Sequence, residues 1–99
     1  MQSTAWVYIV TNKHHTTFYT GMTNDIKTRV WEYQTKMNPS SFVNRYNLSK
    51  VIYCEGFATI VEAIDREKFI KGKKRKWKEN LITSVNPKWR DFSERIMRL

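Results

Sequence analysis

Three tyrosines, one arginine and one glutamate carry the reactive groups of interest in this chain: Tyr8, Tyr19, Arg29, Tyr33 and Glu67. Phenols relay protons, a guanidinium offers a planar fork to two phosphate oxygens, and a carboxylate takes a hard divalent cation. Together they make a poor acyl-transfer set and a workable phosphodiester-cleaving one. Other chemistries have less to stand on. His14-His15 is the one histidine cluster, with no cysteine or acid at ligand spacing, which argues against zinc. There is no glycine-rich phosphate loop and no Ser-His-Asp spacing.

Four of these residues fall in the stretch from Trp6 to Tyr33. Trp6 to Val10 and Thr17 to Thr20 are short runs of β-branched and aromatic residues joined by the polar turn Thr11 to Thr16, which predicts a β-hairpin. The strand period of two sends Tyr8 and Val10 to one face, Val7 and Ile9 to the other. Gly21 is expected to end the second strand, and Thr23 or Asn24, with Asp25, to start a helix. Ile26, Val30, Tyr33 and Met37 then recur at helical spacing, with Arg29 within reach of that stripe.

Met37 to Ser41 reads as a break, and Phe42 to Asn47 as a mixed aromatic and basic loop. Two readings of that loop stay open. Arg45 contacts phosphate with Phe42 or Tyr46 near a base or sugar, or the two rings anchor the loop to the core. Lys50 to Glu55, closed by Gly56, predicts a third strand. The expected fold is α+β in the broad α/β sense: a small central three-stranded antiparallel sheet flanked by helices.

A second helix is predicted from Thr59, with Glu62 at capping-box spacing. Its apolar stripe is Ile60, Ala63, Ile64 and Ile70, and Glu67 falls on that same stripe. A buried carboxylate needs a partner: a cation, a metal or a route to solvent. Lys71, one turn on, would make a plain ion pair of little energetic weight if exposed. Around Gly72 runs a dense cationic segment that includes Lys73, Lys74, Arg75 and Lys76. It suits either a solvated face or a DNA backbone, and the overall charge favours phosphate contact. Trp77, Leu81 and Val85, with Ile82, predict a third helix on the sheet, stopping at Asn86-Pro87.

The chain has 99 residues, enough for one domain over 1–99, and carries 18 Lys and Arg against 9 Asp and Glu, a formal +9. Such a charge attracts phosphate polymers, so nucleic acid is the expected partner. No apolar run approaches the roughly 20 residues of a membrane span. The N-terminus shows no signal-peptide pattern, and the lone Cys54, flanked by Val51, Ile52 and Tyr53, reads as a reduced core thiol. The expected compartment is the cytoplasm.

The pattern resembles the GIY-YIG nuclease superfamily of small DNA-cutting domains. Its two signatures fall on Trp6-Val7-Tyr8 and Tyr19-Thr20-Gly21, and its helix arginine on Arg29. Trp6 stands where the first glycine is usual, and Thr20 departs from the second triplet. Phe42 to Asn47, Glu62 to Lys68 and Val85 to Phe92 are similar to small stand-alone members, so the resemblance covers nearly the whole chain; Ser93 to Leu99 add little. It implies a metal-dependent DNA endonuclease acting in DNA repair or on structured DNA, branched or single-stranded. Within it, Glu67 would hold magnesium or another divalent cation, which polarises the scissile phosphate. Arg29 would stabilise charge building on that phosphate, and Tyr8 would take a proton from the attacking water, drawn toward neutrality by cations such as Lys13 or the basic run. Tyr19 and Tyr33 would position water or substrate, Gly21 would let a DNA backbone approach, and Asn86 would join the catalytic set. Asn86 also reads as a plain helix stop. The alternative is a nucleic-acid-binding module that keeps the fold without catalysis.

Overall fold

In a computed structural model that describes residues 3–99, β1 (Ala5–Thr11), β2 (Phe18–Thr23) and β3 (Lys50–Phe57) form one antiparallel sheet in the order β2-β1-β3. The β1–β2 register sets Tyr8 opposite Gly21 and Thr11 opposite Phe18. Gly21 therefore lies inside β2 and does not end it. The reason is steric: a Cβ on Gly21 would collide with the Oη and Cζ of Tyr8, whose ring occupies that space. β3 likewise runs on through Gly56, and Phe57 pairs with Ala5.

The period of two divides the core as the sequence predicts. Tyr8 and Val10 pack with Ile26, Val30 and Tyr33 of α1 (Ile26–Thr35), while Val7 and Ile9 pack with Ala63 and Ile70 of α3 (Ile60–Lys71) and Ile82 of α4 (Arg75–Val85). The central strand is thus covered on both faces. Cys54 is a free, half-buried thiol, pushed up to about 12 by burial and then by the charge of Glu55.

Local signals place most boundaries. Asp25 caps α1, accepting from the Thr28 amide at 3.1 Å, and Thr59 caps α3 by accepting from the Glu62 amide at 3.2 Å. α1 stops earlier than its apolar spacing suggests. Lys36 turns left-handed at φ 58°, and Met37 is left outside the helix, 64% exposed. The segment expected as a loop after Pro39 contains a short helix, α2 (Ser41–Arg45), capped by Ser40. In α4, Ile82 is buried but Val85 is exposed.

The last segment contributes more than its sequence suggests. α5 (Ser93–Met97) packs on α1 and buries Ile96 beside the Tyr8 and Val30 layer. A β-bulge explains how the preceding residues attach. Ile9 pairs with Tyr53 and Val10 with Val51, so Ile52 is an extra residue in β3. The backbone groups freed there are taken by the tail. Val51 N–H donates to Asp91 Oδ1 at 3.1 Å, and Phe92 N–H donates to Val51 O at 2.8 Å. Asn86 Nδ2 donates to Ile52 O at 2.9 Å.

Candidate active site

Tyr8 and Tyr33 meet beneath α1. Val7-Tyr8-Ile9 alternation sends the Tyr8 ring toward the helix, and Tyr33 lies one turn after Arg29 on the same helix. The Tyr33 hydroxyl donates to the Tyr8 oxygen at 2.8 Å, and the rings meet edge to face at 5.7 Å between centroids. Arg29 covers the pair, its Nη1 3.5 Å from the Tyr8 oxygen and its Nε 3.2 Å from Glu32 Oε1. Burial drives the Tyr33 hydroxyl far above the ordinary phenol range, with Tyr8 adding to the effect, so Tyr33 stays protonated and serves as donor. Tyr8 is also raised, chiefly by burial, though the bond from Tyr33 and the charge of Arg29 pull the other way. The cation that acts on Tyr8 is therefore Arg29, not Lys13 or the basic run, and it does not overcome burial. Arg29 itself is disfavoured as a charge by burial but held protonated by Tyr8, Tyr33 and Glu32.

Arg29 faces two adjoining hollows. One, of about 370 Å³, is lined by Tyr19, Arg29, Glu32, Tyr33 and residues Asn38 to Ser40. The other, of about 240 Å³, is lined by Met22, Thr23, Asn24, Arg29 and Ile60. Ile60 belongs to α3, which packs on the opposite face of the sheet from α1. The two helices therefore approach each other around the free edge of β2. Glu67 lies two turns after Ile60 on the same side of α3, and Lys71 one turn further. The Lys71 ammonium sits 5.7 Å over the Tyr19 ring and 3.5 Å from Glu67 Oε2. Glu67 thus reaches the neighbourhood of Tyr19 through Lys71, 21% exposed, and is not in the core that its stripe position suggested. Ile60 is 46% exposed for the same reason: Ala63 and Ile70 alone on that stripe are fully inside.

The remaining predicted positions separate. Tyr19 is half-buried and belongs to the cleft. Gly21 is buried beneath the Tyr8 ring, so it makes room for that phenol and offers no surface to a DNA backbone. Asn86 is 4% exposed, and its amide is spent on backbone: it donates to Ile52 O and Arg90 O and accepts from Arg90 N–H. Arg75 is committed elsewhere too. It donates to the carbonyls of His15 and Thr16, pairs with Glu79 and lies 4.0 Å over Phe18, locking α4 to the β1–β2 turn. Lys73 lies 4.4 Å over Phe69 and 5.7 Å over Trp77. Lys74, Lys76 and Arg45 are exposed. Glu32 and Asn38 line the cleft without having been anticipated. Glu32 at three residues from Arg29 is a readable helical ion-pair spacing, but nothing local marks Asn38, whose Nδ2 lies 3.5 Å from Glu32.

The sequence pattern of the GIY-YIG catalytic domain matches residues 4–80. This chain belongs to the GIY-YIG family. The family is one of nucleases, so the GIY-YIG domain described here carries a nuclease scaffold. Among solved structures it is similar to the UPF0213 protein BH0048 from Bacillus halodurans, determined by solution NMR, with 22% identity over 91% of this chain and 94% of that one, at a TM-score of 0.57. That likeness shows the shared fold, a three-stranded antiparallel sheet flanked by helices. No curated protein matches the chain. Nucleases of the GIY-YIG family generally use a divalent metal. Among the described residues no group of three or more His, Cys, Asp or Glu converges. A single carboxylate with substrate phosphate is still enough chemistry for magnesium, which keeps several waters of its own. No described helix is long and apolar enough to cross a membrane.

Proposed function

We propose that this GIY-YIG domain is a metal-dependent DNA endonuclease that hydrolyses phosphodiester bonds. The observation that carries the reading is Arg29: its guanidinium lines the cleft, backed by the Tyr8–Tyr33 hydroxyl pair, with Glu67 on α3 paired to the Lys71 that lies over Tyr19. A divalent cation bound at Glu67 would supply Lewis-acid polarisation of the phosphate and offset the charge on the leaving oxygen as its bond to phosphorus breaks. Arg29 then binds two phosphate oxygens, exchanging Glu32 for the substrate as negative charge builds. That movement also uncovers the Tyr8 oxygen, which takes a proton from the attacking water while the Tyr33 hydroxyl stabilises the phenolate. Tyr19 orients the substrate at the cleft mouth. Asn86 acts as a positioning residue through β3, and Lys74, Lys76 and Arg45 supply phosphate contacts.

The Glu67–Lys71 ion pair supports the competing reading, a binding module without catalysis, because a spent carboxylate holds no metal. One experiment separates the two. Plasmid, single-stranded and branched DNA are incubated with the protein in magnesium or in a chelator, beside Glu67→Gln. The expected result is magnesium-dependent cutting by the wild type, none by the variant, and DNA affinity close to equal. A variant that cuts like the wild type would remove Glu67 from the metal site.

A further inference from the structure

The segment that walls the cleft continues into a line of exposed rings. Asn38, Pro39 and Ser40 line the hollow beside Arg29, and the next residues form α2. Its Phe42 ring lies 6.1 Å from that of Tyr19 and 4.9 Å from that of Tyr46, and the Arg45 guanidinium stands 5.6 Å over Tyr46. Tyr19 is shared between the cleft and this line. The rings do not serve as the segment's anchors, since Val43 and Leu48 do that, each 2% exposed, while Phe42 and Tyr46 remain 42% and 39% exposed. Two apolar rings left in water next to a catalytic cleft, when their neighbours already fasten the loop, call for a ligand with flat apolar faces.

Charge selects the ligand further. Lys71 sits over Tyr19 at one end and Arg45 over Tyr46 at the other, in a chain of formal charge +9. Flat faces strung on a polyanion describe unpaired nucleobases, which stack on aromatic side chains while cations follow the backbone. Duplex DNA hides those faces. A base inserted between two rings would need about 7 Å, twice a carbon–carbon contact distance. The centroid separations of 6.1 and 4.9 Å rule that out, and the ring planes are tilted by 41° and 50°. Each base would therefore lie on the open face of one ring, and the strand would step from ring to ring.

We infer that Tyr19, Phe42 and Tyr46 form a stacking platform for single-stranded DNA leading into the cleft, so that the preferred substrate is unpaired beside the scissile phosphate. This rests on the nuclease reading for its purpose but not for its test. Affinity is measured by fluorescence anisotropy in a chelator, with oligo-dT of roughly 15 nucleotides and with a blunt hairpin duplex of equal charge. The proteins are wild type, Phe42→Leu with Tyr46→Leu, which keeps apolar cover, and Tyr46→Phe, which keeps the ring. The double variant should lose about ten-fold or more for oligo-dT and stay near wild type on the duplex, while Tyr46→Phe binds both as wild type does. Unchanged oligo-dT binding, or an equal loss on both probes, would overturn the platform. Cleavage of a flapped and a blunt duplex in magnesium is scored separately. A protein that cuts neither yet shows the binding difference would sink the nuclease reading and leave the platform standing.

Discussion

Arg29 is held from two sides, by the Tyr8 oxygen beneath and by Glu32 along the helix, so its guanidinium fork stays charged at the cleft wall until substrate phosphate replaces Glu32. On the proposed function, a flexible ammonium cannot reproduce that fork. Arg29→Lys should lower single-turnover cleavage at saturating protein by at least about 100-fold, as loss of a transition-state charge donor does, with affinity in a chelator nearly unchanged. Turnover close to wild type would end the catalytic assignment of Arg29. The buried Tyr8 gives a second expectation. A base whose folded pKa lies above the ordinary phenol value is mostly protonated at neutral pH, and its active fraction grows as pH rises toward that pKa. Single-turnover rates should therefore climb about ten-fold per pH unit from roughly pH 7 to 9, without a plateau. A plateau near neutrality would mean that a different group takes the proton.

At the scale of elements, α5 and the residues before it are what the sequence hid. Ile96 is 5% exposed in the layer that also contains Tyr8 and Tyr33, so Ile96→Ala should cost about 2–5 kcal/mol in chemical denaturation. A cost under about 1 kcal/mol would show that α5 is dispensable to that layer. The strands, the hairpin and the cap at Thr59 were legible because alternation and capping are local properties, while of the residues offered for the first helix start it is Asp25, not Thr23 or Asn24, that caps it. So was the grouping of Tyr8, Arg29 and Tyr33, since one strand and one helix carry them. Gly21 was misread because the ring that fills its space comes from the neighbouring strand. α2 was read as a loop, its five residues carrying only two apolar side chains, Phe42 and Val43. Glu67 looked buried because helical spacing alone cannot say that its stripe wraps past the sheet edge. Asn86 read as a plain stop or a catalytic residue; its bonds instead follow from a bulge that pairing register alone reveals.

For the whole molecule, the +9 charge overstates what is free to meet DNA. Arg75 is tied to the turn and Lys73 to Phe69 and Trp77, whereas Lys74 and Lys76 are exposed. Lys74→Gln with Lys76→Gln should flatten the logarithmic salt slope of duplex binding by about 0.9 for each phosphate that is no longer neutralised. Arg75→Gln should leave that slope alone and lower the thermal midpoint. The reverse pattern would place the DNA track on the Arg75 side of α4. The tail's attachment to the bulge has a further consequence, for the order in which the chain is made. Synthesis delivers β3 before Asn86, Asp91 and Phe92, so until those residues are made the amide of Val51 and the carbonyls of Val51 and Ile52 lack the partners they have in the finished fold. At about 5–20 residues per second, the wait from Ile52 to Phe92 lasts a few seconds. During it the tyrosine pair has no α5 above it, and cooperative closure of the nuclease scaffold waits for Asp91, Phe92 and Ile96 to be made.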